Sequence, residues 1–128
     1  MSLLPGILSA AVLVLLSQPA RGQETVWTAI IPQGFPGIAF TWHLKSDGRY
    51  SEEGRDIKSG VSVQPVLSGQ WSLSGGRLKL RQEGIGYVFD GEVFGSQYRG
   101  ILYLDGKHFS SFCAVEGKAP PQNCGAGV

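Results

Sequence analysis

The stretch IAFTWHLKSDGR, residues 38–49, predicts a β-hairpin. Its apolar and polar side chains alternate with a period of two, so one face of the strand carries the apolar set Ile38, Phe40, Trp42 and Leu44. The dipeptide Asp47-Gly48 follows, and this pair favours the tight turns that join antiparallel strands. Residues 49–53 then form a polar return strand, and residues 54–60 form a charged loop.

The same pattern of short apolar segments and turns continues to the end of the chain. Residues 61–64 alternate before Pro65, which indicates an edge position or a break. Later apolar segments are separated by the turn signals Ser74-Gly75-Gly76, Asp90-Gly91, Gly95-Ser96 and Asp105-Gly106. About seven to nine short strands, with no helical segment to cover an open edge, favour a sheet that closes on itself. We therefore predict an all-β fold, a single antiparallel up-and-down meander of about eight strands in a small closed barrel. A small β-sandwich is the alternative.

The N-terminus has the features of a secretory signal peptide at residues 1–22. An apolar run at residues 7–16 precedes a polar stretch in which Ala20 and Gly22 have the spacing that signal peptidase prefers. The run is too short to cross a bilayer as a helix. We predict cleavage after Gly22 and a periplasmic or secreted protein, with no membrane insertion after cleavage. A retained signal anchor is the alternative, because no Lys or Arg precedes the apolar run.

The two cysteines, Cys113 and Cys124, predict a disulfide, because an even count in an oxidising compartment is normally paired. The bridge encloses residues 114–123, which are rich in turn formers. A structural staple is favoured over a redox pair, since the spacing is not the Cys-x-x-Cys of reactive thiols. The predicted organisation is a β-barrel domain at residues 23–116 and a stapled C-terminal tail at residues 117–128.

The balance of charge limits the partners. With Arg21 removed by cleavage, basic and acidic residues are equal in number. A neutral protein has no field that attracts nucleic acid or an anionic membrane surface, so neither is a predicted partner. The remaining partners are a small apolar ligand or another exported protein, and the sequence leaves the oligomeric state open.

Aromatic residues of the predicted strands are the candidate ligand-binding set: Phe40, Trp42, Trp71 and Phe89. Aromatic side chains supply large contact areas in apolar pockets. The preferred alternative is that these rings fill the core, because eight strands leave an interior just wide enough for side chains.

A second candidate set projects from one face of one strand: Arg77, Lys79 and Arg81. Such a stripe is able to dock an acidic partner or an anionic ligand. The preferred alternative is a solvated strand face that also discourages edge-to-edge pairing.

Catalytic and metal-binding signatures are weak in this sequence. Glu52 and Glu53 point to opposite faces of a strand, so they cannot act as a paired acid and base, and with Asp56 they are assigned to a solvated loop. His43 and His108 have no carboxylate or thiol at ligand spacing. We predict no catalytic residue, no metal and no cofactor.

Three segments carry a family resemblance: residues 41–44, residues 47–50, and residues 69–73 with 75–80. They match the forms T-W-x-L, D-G-x-Y, and G-x-W-x-L followed by G-G-x-L-x-L. In this the chain resembles the lipocalin-like group of small exported bacterial β-barrels. It is shorter than a true lipocalin, carries its Gly-x-Trp in mid-chain and lacks a C-terminal helix. The resemblance implies a barrel with room for an internal pocket and identifies no ligand.

The sequence therefore favours an exported, non-enzymatic binding protein that takes a small apolar ligand inside the barrel or a protein partner outside it. One alternative is an enzyme inhibitor or interaction protein that acts through the cystine-closed loop, which Pro120-Pro121 stiffens. Another is a barrel-pocket isomerase or cyclase, in which Tyr87 or Tyr103 completes the chemistry.

Overall fold

The computed structural model describes residues 24–125, so the predicted signal peptide lies outside the described residues. Eight strands follow one another along the chain: β1 (Glu24–Ile31), β2 (Phe35–Lys45), β3 (Arg49–Asp56), β4 (Leu67–Ser74), β5 (Arg77–Gln82), β6 (Tyr87–Phe94), β7 (Gln97–Leu104) and β8 (Lys107–Glu116).

These strands form one closed up-and-down barrel. Each strand pairs antiparallel with the next, and β1 also pairs with β8, which closes the sheet. The prediction of an all-β meander of about eight strands in a small barrel is confirmed, and the fold is a barrel rather than a sandwich. Residues 24–125 contain no helix that is long and apolar enough to cross a membrane.

Alternation along the strands sorts side chains between the interior and the outer surface. On β5, Leu78, Leu80 and Gln82 are buried, whereas the three basic residues that alternate with them are exposed. On β2, Trp42 is fully buried and lies directly opposite Trp27 of β1. The period of two seen in the sequence therefore separates the side chains that face the core from those that face solvent.

An aromatic cluster fills the middle of the barrel around Trp42. The Trp42 ring centroid lies 4.6 Å from that of Phe89, 5.9 Å from Phe112 and 6.0 Å from Tyr98. Trp27 packs edge-on against Tyr98. Such edge-to-face contacts fill volume with a defined geometry, so this part of the barrel is a solid core.

The polar return strand is longer than predicted. β3 continues to Asp56, where the sequence predicted a charged loop from residue 54. The expected alternating strand at residues 61–64 is not one of the barrel strands, and only an isolated bridge joins Arg55 to Ser62. Pro65 interrupts the segment, so it folds back on the end of β3 instead of crossing the sheet.

The C-terminal tail lies against the outside of the barrel. Cys113 of β8 is bonded to Cys124, which confirms the predicted disulfide. Just after β8, Gly117 donates its N–H to the carbonyl of Val26 and accepts a hydrogen bond from Thr28 Oγ1 at 2.7 Å. The tail is therefore attached to the barrel wall at both ends of the disulfide loop.

Candidate ligand-binding cavity

A cavity of about 300 Å³ opens at one end of the barrel, between the β1–β2 turn, the β3–β4 loop and the β5–β6 turn. We call this end the open end. Val63 and Ile85 line the cavity and are also exposed, so its mouth meets solvent between two loops. Most of the wall is apolar or aromatic, and it includes Ile31, Phe35, Ile38, Phe40, Leu67, Tyr87, Phe89 and Leu102.

A buried carboxylate lines this otherwise apolar space. Glu52 is only 3% exposed. Its Oε1 accepts a hydrogen bond from Trp42 Nε1 at 2.8 Å, and its Oε2 accepts bonds from Gln64 Nε2 at 3.1 Å and Gln82 Nε2 at 3.3 Å. We call these four residues the Glu52 cluster. They come from β2, β3, β5 and the β3–β4 loop, so the cluster exists only in the folded barrel.

The environment of Glu52 is electrostatically unfavourable for its charge. Burial raises the pKa of the Glu52 carboxyl above its usual range, and the three hydrogen bonds oppose that shift in part. Removing a carboxylate from water carries a penalty of several kcal/mol, which hydrogen bonds offset only when they are well placed. An ionisable group retained at such a position is a candidate for function rather than for stability.

Gln64 reaches Glu52 because the β3–β4 loop folds back over the open end. Val63 donates its N–H to the carbonyl of Gly54 at 2.9 Å, which fixes the loop on the end of β3. Gly54 provides the space for this approach, since a Cβ at that position would lie 2.9 Å from Gln64 Cδ. The absence of a side chain at Gly54 thus allows the amide into the cavity.

The predicted aromatic set is divided by the structure. Phe40 and Phe89 line the cavity. Trp42 does not line it and belongs to the filled core, where it supports Glu52 through its indole N–H. Trp71 also lies away from the cavity, and its Nε1 donates to the carbonyl of Lys45 at 2.8 Å. Periodicity indicates the face on which a residue lies and not its height along the barrel axis, which strand tilt and stagger determine.

The assignment of Glu52 to a solvated loop is wrong. Tyr50, Glu52 and Gly54 share the inward face of β3, whereas Glu53 is exposed. The alternation that begins at Tyr50 contained this signal, since residues two apart on a strand share a face. The many charged residues around Glu52 led instead to the prediction of a solvated loop.

The basic stripe is on the outer surface and does not meet the cavity. Arg77, Lys79 and Arg81 are exposed on β5. Arg77 Nε lies 2.9 Å from Asp90 Oδ1, and its Nη1 lies 4.0 Å from Glu92 Oε2. The carboxylates of β6 therefore neutralise part of the stripe.

The residues considered for catalysis and metal binding do not come together in one site. Tyr87 lines the cavity, whereas Tyr103 is on the other face of the barrel wall. On the outer surface, His43 Nδ1 lies 2.7 Å from Glu24 Oε1, and His43 Nε2 lies 3.3 Å from Glu53 Oε2. Within the part of the chain that the structure describes, no group of three or more His, Cys, Asp or Glu side chains is suited to hold a metal ion.

No family model, curated protein or solved structure matches this chain. The resemblance to lipocalin-like barrels therefore stays a prediction that rests on the three quoted segments.

Proposed function

We propose that this protein is an exported, non-enzymatic binding protein that takes a small, mainly apolar ligand into the cavity at the open end of its barrel. The observation that carries the proposal is the buried Glu52 carboxylate beside an apolar space that is open to solvent. Small-molecule sites typically combine apolar walls with a few convergent polar groups, within cavities of roughly 300 to 1,000 Å³. The disulfide is consistent with the oxidising compartment that export implies.

The division of the barrel into two parts supports this proposal. The aromatic cluster around Trp42 supplies a rigid core, and the cavity above it is bordered by loops of the open end. A site that rests on a packed core is held in shape before the ligand arrives, which reduces the ordering that binding must impose. Binding of a ligand therefore does not require the core to reorganise.

The proposal is tested with N-phenyl-1-naphthylamine, a neutral apolar probe whose emission rises in apolar surroundings. The cavity-filling variant Leu67→Trp places a larger side chain in the cavity wall and is expected to abolish the rise in emission. Its matched control is Leu73→Trp, on the same strand but exposed and outside the cavity. The control is expected to bind the probe as the wild type does.

Two results would refute the proposal. One is a wild-type protein whose emission does not change at any probe concentration. The other is undiminished probe binding by Leu67→Trp as well as by Leu73→Trp, because that would place the probe outside the cavity. Circular dichroism and thermal unfolding of each variant establish that the barrel is intact.

A further inference from the structure

The cavity is selective in charge. Among the described residues that line it, Glu52 is the only carboxylate, and none is Lys, Arg or His. The two amide side chains in the lining, Gln64 and Gln82, both direct their N–H groups to Glu52. Both amide N–H groups are thus used as donors to the carboxylate. The negative charge of Glu52 then gives the cavity an electrostatic field that favours a positive ligand group.

Glu52 also retains acceptor capacity. An ionised carboxylate offers about four acceptor sites. Within residues 24–125, Oε2 accepts two hydrogen bonds and Oε1 accepts one, from Trp42. The carboxylate, which lines the cavity, therefore has capacity for one more donor, whereas a ligand with only acceptors gains nothing there.

A cationic donor fits this position better than a neutral one. A buried carboxylate without a counter-charge is unfavourable, and an ammonium group supplies both the charge and the N–H. Hydrogen bonds between charged partners are roughly twice as strong as neutral ones. Four aromatic side chains in the wall, Phe35, Phe40, Tyr87 and Phe89, add surfaces that attract cations.

We propose that the ligand of this cavity is an amine, with an apolar body against the aromatic wall and a primary or secondary ammonium group hydrogen-bonded to the Glu52 carboxylate. This inference rests on the proposed function and specifies the chemical class of its ligand. It excludes fatty acids and other apolar anions, which Glu52 repels, and it ranks neutral alcohols below amines of the same shape.

Three ligands of similar size test the inference: 2-phenylethylamine, 2-phenylethanol and 3-phenylpropionate. Each is titrated calorimetrically into the wild-type barrel at neutral pH. The amine is expected to bind about tenfold more tightly than the alcohol, a ratio typical of replacing a neutral hydrogen-bond partner with a charged one. The carboxylate is expected to bind most weakly.

The matched variants are Glu52→Gln and Glu53→Gln, which remove adjacent carboxylates from opposite faces of β3. Glu52→Gln is expected to reduce amine affinity to the level of the alcohol while leaving alcohol affinity within about twofold. Glu53→Gln is expected to preserve the wild-type ranking. The ranking on the wild-type protein is a test in itself, so the inference stays open to refutation if Glu52→Gln does not fold.

The outcomes separate the inference from the proposed function. Equal affinities for the amine and the alcohol, or tightest binding of the carboxylate, would overturn the ammonium inference while leaving a binding cavity in place. An amine preference that survives in Glu52→Gln would overturn it as well. If none of the three ligands nor N-phenyl-1-naphthylamine binds, the proposed function itself fails.

Discussion

Trp42 Nε1 donates a hydrogen bond to Glu52 Oε1 across 2.8 Å in the interior of the barrel. The two residues are direct cross-strand partners on β2 and β3, so their side chains share the inward face. Trp42 is part of the filled core and Glu52 lines the cavity. This bond therefore joins the part of the barrel that provides stability to the part that is proposed to bind.

Trp42→Phe is expected to lower the free energy of unfolding by about 2 to 4 kcal/mol, because it leaves a void in the core and removes a donor from a buried carboxylate. Urea unfolding followed by circular dichroism measures the loss. Trp71→Phe is the control, since Trp71 is half-buried and bonds only a backbone carbonyl. Equal losses in the two variants would contradict the assignment of Trp42 to the core.

The stability of the protein is expected to fall as pH rises above the ordinary carboxyl pKa of 4.5. Because the pKa of Glu52 is raised in the folded state, the folded barrel binds more protons than the unfolded chain in this range, and deprotonation then favours unfolding. Burial, followed by the charges of Glu52 and Glu83, also raises the pKa of the Tyr50 phenol, but that group titrates outside this pH range. Below 4.5 this contribution is constant and fully present.

The variant Glu52→Gln isolates that contribution. Its amide is accommodated if Gln64 or Gln82 rotates to present its oxygen, so the fold is retained. The unfolding free energies of wild type and variant are measured by urea titration at a series of pH values. As pH rises, the wild type is expected to lose stability relative to the variant. Asp56, whose pKa is lowered mainly by hydrogen bonds from Ser59, is common to both proteins and cancels. A difference that does not change with pH would show that Glu52 is not a strained buried acid.

Gly54→Ala is expected to displace Gln64 and to weaken binding of 2-phenylethylamine, with a loss of stability of only about 1 kcal/mol, since the obstructed group is the end of a flexible side chain. Gln64→Ala removes the same contact without crowding and serves as the partner in a double-mutant cycle. If Gly54 acts through Gln64, the double variant is no worse than Gln64→Ala alone. Additive losses would show that Gly54 has a separate role.

Loss of the disulfide is expected to affect stability and not the cavity. The variant Cys113→Ser/Cys124→Ser should lose about 2 to 4 kcal/mol of unfolding free energy, because the unfolded chain is no longer constrained. Its affinity for N-phenyl-1-naphthylamine should be unchanged, since the bridge lies on the outer surface and lines a different groove. A parallel loss of probe binding would contradict the separation of tail and cavity.

The sequence predicted the architecture more completely than the site. The alternation through Phe40, Trp42 and Leu44, with the Asp47-Gly48 turn, identified a barrel strand and its hairpin, because face and turn type are local properties. The Glu52 cluster is not local. The donors to Glu52 are 10, 12 and 30 residues away in sequence, so its burial becomes visible only when the strands are in register.

The boundary between the filled core and the cavity could not be predicted from the sequence either. Phe40 and Trp42 are two residues apart and share a face, yet one lines the cavity and the other lies in the core. Their heights in the barrel depend on the stagger of eight paired strands, and no window of the sequence contains that information.

The most direct measurement is a ¹H–¹⁵N NMR titration of the protein with 2-phenylethylamine, because three tryptophan indole N–H groups report on three places in the barrel. Binding at Glu52 is expected to shift the indole resonance of Trp42 and the side-chain amides of Gln64 and Gln82, all of which donate to that carboxylate. The indole of Trp71, which bonds Lys45 outside the cavity, should stay in place. An unmoved Trp42 indole at saturating amine, or shifts confined to Trp71 and the outer surface, would contradict a ligand site at Glu52.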